Sequence, residues 1–208
     1  MGTINCVVDV YHGDDITDFH AVKADGIVGM IHKATQGLGE IDPRYESRKA
    51  IALEVGLLWG AYHFADGEDG VAQAKKFLSV VNPGPQDLLV LDLETNTAGK
   101  SMTLAGAEHF VEHIHQVTGR WPGLYTGSYM KDDLGNPSET LLANCWLWLS
   151  EYGPKPRLPA AWKNWTMWQY TDGQFGPEPH TVTGIGPCDR NMFNGDMTAL
   201  RKLWGYTS

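Results

Sequence analysis

Short apolar segments of strand length alternate with helical stretches along most of the chain, and this alternation limits the possible folds more than any other feature. The early segments are apolar at nearly every position, as expected for strands of a parallel sheet that is covered on both faces. Strands separated by helices indicate βα units, and about eight such units indicate a barrel. The predicted strands span residues 6–11, 28–34, 57–64, 88–94, 123–127, 145–152, 165–171 and 188–193.

Helical periodicity predicts helices at residues 16–24, 44–55, 71–80, 103–118 and 196–203. The helical pattern weakens after Thr118, because residues 130–144 and 153–163 contain Gly and Pro and are typical of loops with at most short helices. We therefore predict an α/β fold, a (β/α)8-type (TIM-like) barrel with sparse helices in its second half, with a doubly wound open sheet as the alternative. No linker, repeat or low-complexity tract interrupts the chain, so residues 1–208 are predicted to form a single domain.

Charge and composition restrict the partners. With 42% hydrophobic and 20% charged residues, the chain has the composition of a globular protein. A net charge of −9 without a run of Lys or Arg predicts no nucleic-acid partner. No apolar run approaches the ~20 residues of a membrane helix, and the N-terminus lacks a signal-peptide pattern, so we expect no membrane partner. Cys6, Cys145 and Cys188 lack CxxC spacing and are predicted to be free and mostly buried, with one disulfide as the alternative.

Two carboxylates stand at the end of the most apolar strand, residues 88–94. Side chains alternate along a strand, so Asp92 and Glu94 are predicted to share one face at its C-terminal end, where (β/α)8 barrels build active sites. Two acids so close raise the pKa of one of them, and a carboxyl that stays protonated near neutral pH can act as a general acid. Acids at strand ends also serve as caps or as partners of bases, so this pair alone does not decide the function.

Two further acids lie in the first and last predicted strands. Asp9 and Asp189 are each part of an apolar strand-like segment. The first and eighth strands are neighbours in a closed barrel, so these side chains can approach each other. With Asp92 and Glu94 they are predicted to form an acidic cup at one rim of the barrel.

Aromatic side chains accompany the acids at the predicted rim, in a chain with eight Trp and eight Tyr. Sugar rings have apolar C–H faces that stack on aromatic planes, and their hydroxyls need acceptors, so an acidic cup with aromatic walls suits a carbohydrate. About half of the aromatics are expected in the core instead, with Trp59, Trp146 and Trp204 as candidates. The candidate rim residues are Tyr62, His63, Tyr125, Trp148, Tyr152, Trp168, Gln169 and Tyr170.

Basic residues are few near the predicted cup. Lys33 either offsets the acids or is a solvated loop lysine, and His12 and His63 are candidates for acid–base chemistry. His109 and His113 have i,i+4 spacing but lack the H-E-x-x-H pattern, so we interpret them as a helix surface and predict neither a metal nor a cofactor.

Short motifs follow one another along nearly the whole chain, at residues 8–12 (VDVYH), 31–37 (IHKATQG), 60–64 (GAYHF), 91–94 (LDLE), 124–126 (LYT), 167–171 (MWQYT) and 189–193 (DRNMF). In this order they resemble the motifs of family 25 glycoside hydrolases, the Chalaropsis-type lysozymes. Tyr11 stands where the family has a serine, Gln36 stands where it has an acid, and residues 67–70 and 131–138 have no clear counterpart.

The resemblance implies a flattened, irregular barrel that hydrolyses the β-1,4 bond between N-acetylmuramic acid and N-acetylglucosamine in peptidoglycan. It implies that Glu94 is the general acid/base, that Asp92 assists, and that Asp9 and Asp189 shape and charge the site. Substrate-binding candidates are Tyr62, Tyr125, Trp168, Gln169, Lys33 and His63.

The spacing of Asp92 and Glu94 does not decide between retention and inversion, and we favour retention in which the 2-acetamido group of the substrate is the nucleophile. Two rival functions are a metal-dependent phosphodiesterase, which leaves the aromatic residues unexplained, and a non-catalytic glycan-binding barrel. The expected partner is the peptidoglycan strand, bound by a monomer that is secreted or released during phage lysis.

Overall fold

Eight strands close into a barrel in the computed structural model, which describes residues 2–207. They pair in the order β1-β2-β4-β5-β6-β7-β8-β11, and β11 pairs back with β1, so the closed barrel is confirmed and the open sheet is wrong. Met1 and Ser208, the ends of the predicted domain, lie outside the described residues. The strands are β1 Ile4–Val10, β2 Gly29–Gln36, β3 Glu40–Ile41, β4 Leu58–Phe64, β5 Leu88–Asp92, β6 Gly123–Thr126, β7 Trp146–Ser150, β8 Met167–Asp172, β9 Thr181–Val182, β10 Gly186–Pro187 and β11 Asp189–Phe193.

The helices confirm the prediction that the second half of the barrel is poor in helix. Side-chain oxygens of Asp18, Asp69, Thr103 and Asp196 accept backbone N–H groups at the starts of α1, α3, α4 and α5, the usual role of an N-cap. None of the helices in residues 2–207 is long and apolar enough to cross a membrane. The helices are α1 Phe19–Ala24, α2 Tyr45–Glu54, α3 Gly70–Val81, α4 Leu104–Thr118 and α5 Met197–Leu203, with a π-helical turn at Tyr129–Asp133 and a 3-10 turn at Leu141–Asn144.

The last barrel strand departs from the regular (β/α)8 pattern. β11 runs antiparallel to both of its neighbours, β1 and β8, whereas the other barrel strands are parallel. A parallel return to the barrel needs a long crossover, usually through a helix, and the connection from β8 to β11 holds only the β9–β10 hairpin. The start of β11 therefore lies at the rim where the parallel strands end.

Side chains of the barrel strands alternate between a narrow interior and an outer layer under the helices. Inward-facing side chains such as Val7, Ile31 and Val90 fill the interior. Outward-facing ones such as Leu91 pack with helix residues such as Phe110. This alternation places the two faces of each strand in different surroundings, so the parity of a residue decides whether it can reach the mouth of the barrel.

Tryptophan closes the lower end of the barrel. Trp204, which follows α5, is fully buried in the interior cluster, and its indole N–H donates to the carbonyl oxygen of Trp59 at 2.9 Å. Trp59 is also fully buried, so both are core residues as predicted, whereas Trp146 packs against the interior cluster and is only partly buried. The three cysteines are free and buried, as predicted.

Because Trp204 fills the end of the barrel, we expect Trp204→Ala to lower the free energy of unfolding by about 3–5 kcal/mol through the cavity it leaves. Urea unfolding followed by circular dichroism measures the change. Val117→Ala is the matched control, since Val117 is 60% exposed on α4 and its truncation should stay within about 0.5 kcal/mol. A loss below about 1 kcal/mol for Trp204→Ala would contradict this role.

Candidate active site

All four predicted acids meet in a cup at the rim where the parallel strands end. The cup has a volume of about 80 Å³. Glu94 reaches it from two residues beyond the end of β5, in a bend, so the prediction of a strand to residue 94 was too long. The lining residues are Asp9, Tyr62, Asp92, Glu94, Tyr125, Trp148, Gln169 and Asp189.

Asp9 and Asp189 face each other across the barrel seam. They are register partners in the antiparallel pair β1–β11, with Asp9 near the end of β1 and Asp189 at the start of β11. In a parallel strand the first residue would lie at the opposite rim. The reversed direction of β11 is thus what adds Asp189 to the cup.

Gln169 holds Asp9 in place. Its side-chain N–H group donates to both carboxylate oxygens of Asp9 at 3.0 Å. Its carbonyl oxygen accepts from the hydroxyls of Tyr125 at 2.7 Å and Tyr152 at 2.6 Å. Both ends of the amide are used, so its orientation is determined by these hydrogen bonds, and Gln169 forms part of the wall of the cup.

Asn191 completes the surroundings of Asp9. Its amide N–H donates to Asp9 at 2.8 Å, and its carbonyl oxygen accepts the indole N–H of Trp148 at 2.6 Å. Asn191 was not among the residues predicted for the site. Its position two residues after Asp189 in the same strand was the available signal, since such residues share a face.

Asp92 and Glu94 both have raised pKa values. Burial raises the pKa of Asp92 well above its usual range, the nearby Glu94 raises it further, and Lys33 opposes the change. Burial also raises the pKa of Glu94, followed by the charge of Asp9, again opposed by Lys33. Asp92 is 6% exposed, and its Oδ1 has no hydrogen-bond partner among residues 2–207, whereas Glu94 is partly exposed at the edge of the cup.

Asp9 and Asp189 share one buried site, and the pKa values of both are raised. Burial raises the pKa of Asp9, but hydrogen bonds donated by Asn191 and Gln169 stabilise its charged form. Burial, and then the charge of Asp9, raise the pKa of Asp189 to about 9. The proton that the pair retains is therefore held by Asp189 in preference to Asp9, as expected for two carboxyl groups that share a site and of which one accepts two amide hydrogen bonds.

Lys33 lies outside the cup but close enough to affect it. Its ammonium donates to Gln36 and lies 5.0 Å from the centre of the Phe64 ring. Its charge lowers the pKa values of Asp92 and Glu94, as noted above. Of the two interpretations made from sequence, the structure favours a lysine that offsets the acids.

His63 does not reach the cup, contrary to the expectation from sequence. It is fully buried outside the barrel wall, stacked on Phe110, with hydrogen bonds to Thr35 at 2.7 Å and Gln73 at 2.9 Å. Burial lowers its pKa to about 4, so it is neutral. The reason is parity, since Tyr62 points inward and the next residue must point outward.

Trp168 is a second misplaced candidate, for the same reason. Gln169 points into the cup, so the Trp168 ring packs on the outside of the barrel with Leu149 and Tyr170. Its indole N–H donates to the carbonyl oxygen of Glu151 at 2.7 Å. Trp168 supports the β7–β8 wall and does not line the cup.

The described part of the chain was also searched for metal-ligating side chains, namely His, Cys, Asp and Glu, that lie close together. No group of three or more His, Cys, Asp or Glu side chains in residues 2–207 is arranged to hold a metal ion. His12, the other histidine considered for acid–base chemistry, pairs with Asp42 through Nδ1 at 2.9 Å.

The proton on Asp189 predicts a pH-dependent stability. Its pKa is about 9 in the folded state and about 3.9 in the unfolded state. Between these two pH values the folded state binds one more proton than the unfolded state, so the free energy of unfolding falls as pH rises. Asp189→Asn removes the titrating group, so its unfolding free energy should fall less than that of the wild type between pH 5 and 8, by up to about 4 kcal/mol, since one proton contributes about 1.4 kcal/mol per pH unit. Urea unfolding at several pH values measures this. Parallel curves would contradict it, and Asp133→Asn, an exposed acid, is the control.

Comparison with known proteins gives a consistent result. Residues 8–178 match the sequence profile of Glycosyl hydrolases family 25. Lysozyme M1 of Streptomyces globisporus is 27% identical over 97% of this chain and 71% of that protein. The N,O-diacetylmuramidase of a Chalaropsis species is 28% identical over 89% of this chain and 92% of that protein.

The barrel also resembles solved structures. The crystal structure of a bacterial lysozyme from Streptomyces coelicolor aligns with a TM-score of 0.87 and 28% identity, over 100% of both chains. The family profile covers most of the sequence, and the structural similarity covers all of it. This chain therefore belongs to glycosyl hydrolase family 25 and is a glycoside hydrolase.

Proposed function

We propose that this enzyme is a lysozyme that hydrolyses the β-1,4 bond between N-acetylmuramic acid and N-acetylglucosamine in peptidoglycan, with Glu94 as general acid/base and the 2-acetamido group of the substrate as nucleophile. The observation that carries the proposal is the pairing of a partly exposed Glu94 with a buried Asp92 whose Oδ1 has no partner among residues 2–207. Glu94 is accessible to the substrate, and the Oδ1 of Asp92 is free to accept a hydrogen bond from it.

Glu94 has the properties of a general acid. It lies at the edge of the cup, where a glycosidic oxygen can approach it, and its raised pKa keeps the carboxyl protonated closer to neutral pH. In the first step it protonates the oxygen of the leaving N-acetylglucosamine. In the second step the resulting carboxylate takes a proton from the attacking water.

Asp92 is suited to orient the substrate. The cup has a volume of about 80 Å³, below the ~300–1,000 Å³ typical of sites that enclose a whole small molecule, and it suits a substituent such as an acetamido group. The Oδ1 of Asp92, which has no partner among residues 2–207, accepts the amide N–H and directs the acetamido oxygen at the anomeric carbon. Attack by that oxygen breaks the glycosidic bond and forms a cyclic oxazolinium ion, which water then opens with net retention.

Tyrosine hydroxyls line the remaining wall. Burial and the surrounding acids raise the pKa of Tyr62 well above its usual range, so its phenol stays protonated and can donate a hydrogen bond to the substrate. Tyr125 also lines the cup, but its hydroxyl is already bonded to Gln169. We assign substrate contact to Tyr62 and a supporting role to Tyr125.

The same proposal covers the setting in which the enzyme works. We propose a monomer that acts on glycan strands of the cell wall after secretion or phage lysis, without nucleic-acid or membrane partners. The net charge of −9 gives no long-range attraction to an anionic wall, so affinity must come from the mouth of the barrel.

Loss of the Glu94 proton should abolish turnover and spare binding. We expect Glu94→Gln to lower kcat by about 10²–10⁴-fold, the usual contribution of a general acid, with little change in affinity for peptidoglycan fragments. Release of reducing ends from purified peptidoglycan measures turnover, and Glu46→Gln, an exposed acid on α2, is the matched control. Assays with a chelator present test the metal-dependent rival.

Two results would overturn this assignment. Glu94→Gln retaining more than about a tenth of wild-type activity would remove Glu94 from the chemistry. A wild-type protein that binds glycan strands and never cleaves them would favour the non-catalytic glycan-binding barrel.

Substrate participation predicts the configuration of the first product. Proton NMR of a digest, recorded before mutarotation, should show the β-anomer of N-acetylmuramic acid at the new reducing end. Mass spectrometry identifies that sugar independently. Inversion would rule out the 2-acetamido nucleophile, and a reducing-end N-acetylglucosamine would make the enzyme a glucosaminidase.

A further inference from the structure

A β-bulge near the end of β2 puts Lys33 and Gln36 on the same side of the barrel wall, and we call these two residues the β2 pair. The register between β2 and β4 shifts between Lys33 and Thr35, so that Lys33 lies beside Tyr62 and Gln36 lies beside Phe64. In a regular strand, side chains three positions apart point to opposite faces. Because of the bulge, the ammonium of Lys33 can donate a hydrogen bond to the side-chain oxygen of Gln36.

The β2 pair lies close to the acids of the cup. Gln36 pairs with Phe64 across β2 and β4, and Phe64 pairs with Asp92 across β4 and β5, so the three residues form one row. Neighbouring strands are ~4.8 Å apart, which separates the backbones of Gln36 and Asp92 by roughly 10 Å. The Debye length at an ionic strength of about 0.1 M is also roughly 10 Å, so a charge at either end of this row is only partly screened from the other.

Lys33 keeps its full charge because its hydrogen-bond partner is neutral. The Gln36 oxygen belongs to an amide, and the Phe64 ring, 5.0 Å from the ammonium, is also uncharged. In the described part of the chain, no carboxylate lies within ion-pair distance of Lys33. The positive charge therefore acts on Asp92 and Glu94, where it opposes the rise in pKa that burial causes.

The other charged groups around the β2 pair do not neutralise Lys33. His12, Glu40 and Asp42 line the depression beside the β2 pair, where His12 and Asp42 bind each other and Glu40 is exposed. The remaining titratable groups on neighbouring elements are Tyr62, His63, Asp66, Glu68, Asp9 and Asp189. None of these acids forms an ion pair with the lysine within residues 2–207.

We infer that Gln36 is a positioning residue for the glycosidase reaction, because it holds Lys33 without adding a charge and so keeps the active pH range lower than an acid at position 36 would. The inference rests on the proposed roles of Glu94 and Asp92. Glu94 must be protonated to act as the acid, and Asp92 must be ionised to accept the substrate amide, so the pKa values of these two groups limit the active pH range. A carboxylate at position 36 would offset the charge of Lys33, and both limits would move to higher pH.

The test is the pH dependence of kcat/KM for cleavage of purified peptidoglycan by Gln36→Glu. The family motif has an acid at this position, so the barrel should accept the substitution. We expect both limbs of the pH–rate profile to move upward by about half a pH unit, the effect of one charge acting over roughly 10 Å at an effective dielectric constant of about 40. The shift should become smaller in about 1 M sodium chloride, where the Debye length is only ~3 Å.

Control variants separate the charge at position 36 from the hydrogen bond and from the net charge. Gln36→Met removes the hydrogen bond without adding a charge, and Gln116→Glu adds the same charge at an exposed position on α4. Both should leave each limb within about 0.2 pH units of the wild type. Lys33→Met removes the cation itself and should move both limbs upward at least as far as Gln36→Glu. It carries the test if Gln36→Glu does not fold, as judged by circular dichroism.

Each other outcome overturns the inference. If Gln36→Glu loses activity equally at every pH, Gln36 is only a structural part of the wall. If Gln116→Glu shifts the profile as much, the effect comes from the net charge of the protein. If Glu94→Gln keeps the alkaline limb of the wild type, Glu94 is not the general acid, and the proposed function itself fails whatever Gln36→Glu shows.

Discussion

Burial of a charged carboxylate is the constraint on which the mouth of this barrel depends. Asp9 is only 7% exposed, and a charge at that depth is stable only when hydrogen bonds replace its water. Gln169 and Asn191 provide these bonds from two strands. The amides are in turn held by Tyr125 and Trp148, so the inner walls of β6, β7, β8 and β11 are organised around one charge.

Asp92 is as buried as Asp9 but has the opposite surroundings. Its Oδ1 lacks a partner within residues 2–207, an arrangement that costs about 1–3 kcal/mol in the free protein. In the mechanism we propose, the substrate amide removes that cost on binding. The protein thus provides the hydrogen bonds of Asp9, whereas in the proposed mechanism the ligand provides that of Asp92. Glu94, two residues after Asp92, then exchanges protons with the substrate.

Much of this arrangement could be predicted from the sequence, because it follows from local patterns. Alternating strands and helices indicated the barrel, and acids in otherwise apolar strands indicated its functional rim. The same alternation, applied strictly, would have excluded His63 and Trp168, since Tyr62 and Gln169 take the inward positions beside them. Both were predicted from residue type alone, and the structure places both side chains outside the cup.

The sequence by itself determined which segments become strands, where carboxylates interrupt them, and the family to which those motifs point. Only the tertiary structure decided that β11 runs antiparallel, because strand direction depends on how the chain returns to the sheet and not on the residues within the strand. That reversal brings Asp189 beside Asp9. The tertiary structure also decided that Asp9 is the buried acid whose oxygens are hydrogen-bonded by the protein. The bonds from Gln169 and Asn191 join residues 160 and 182 positions apart, so they form only when the barrel closes.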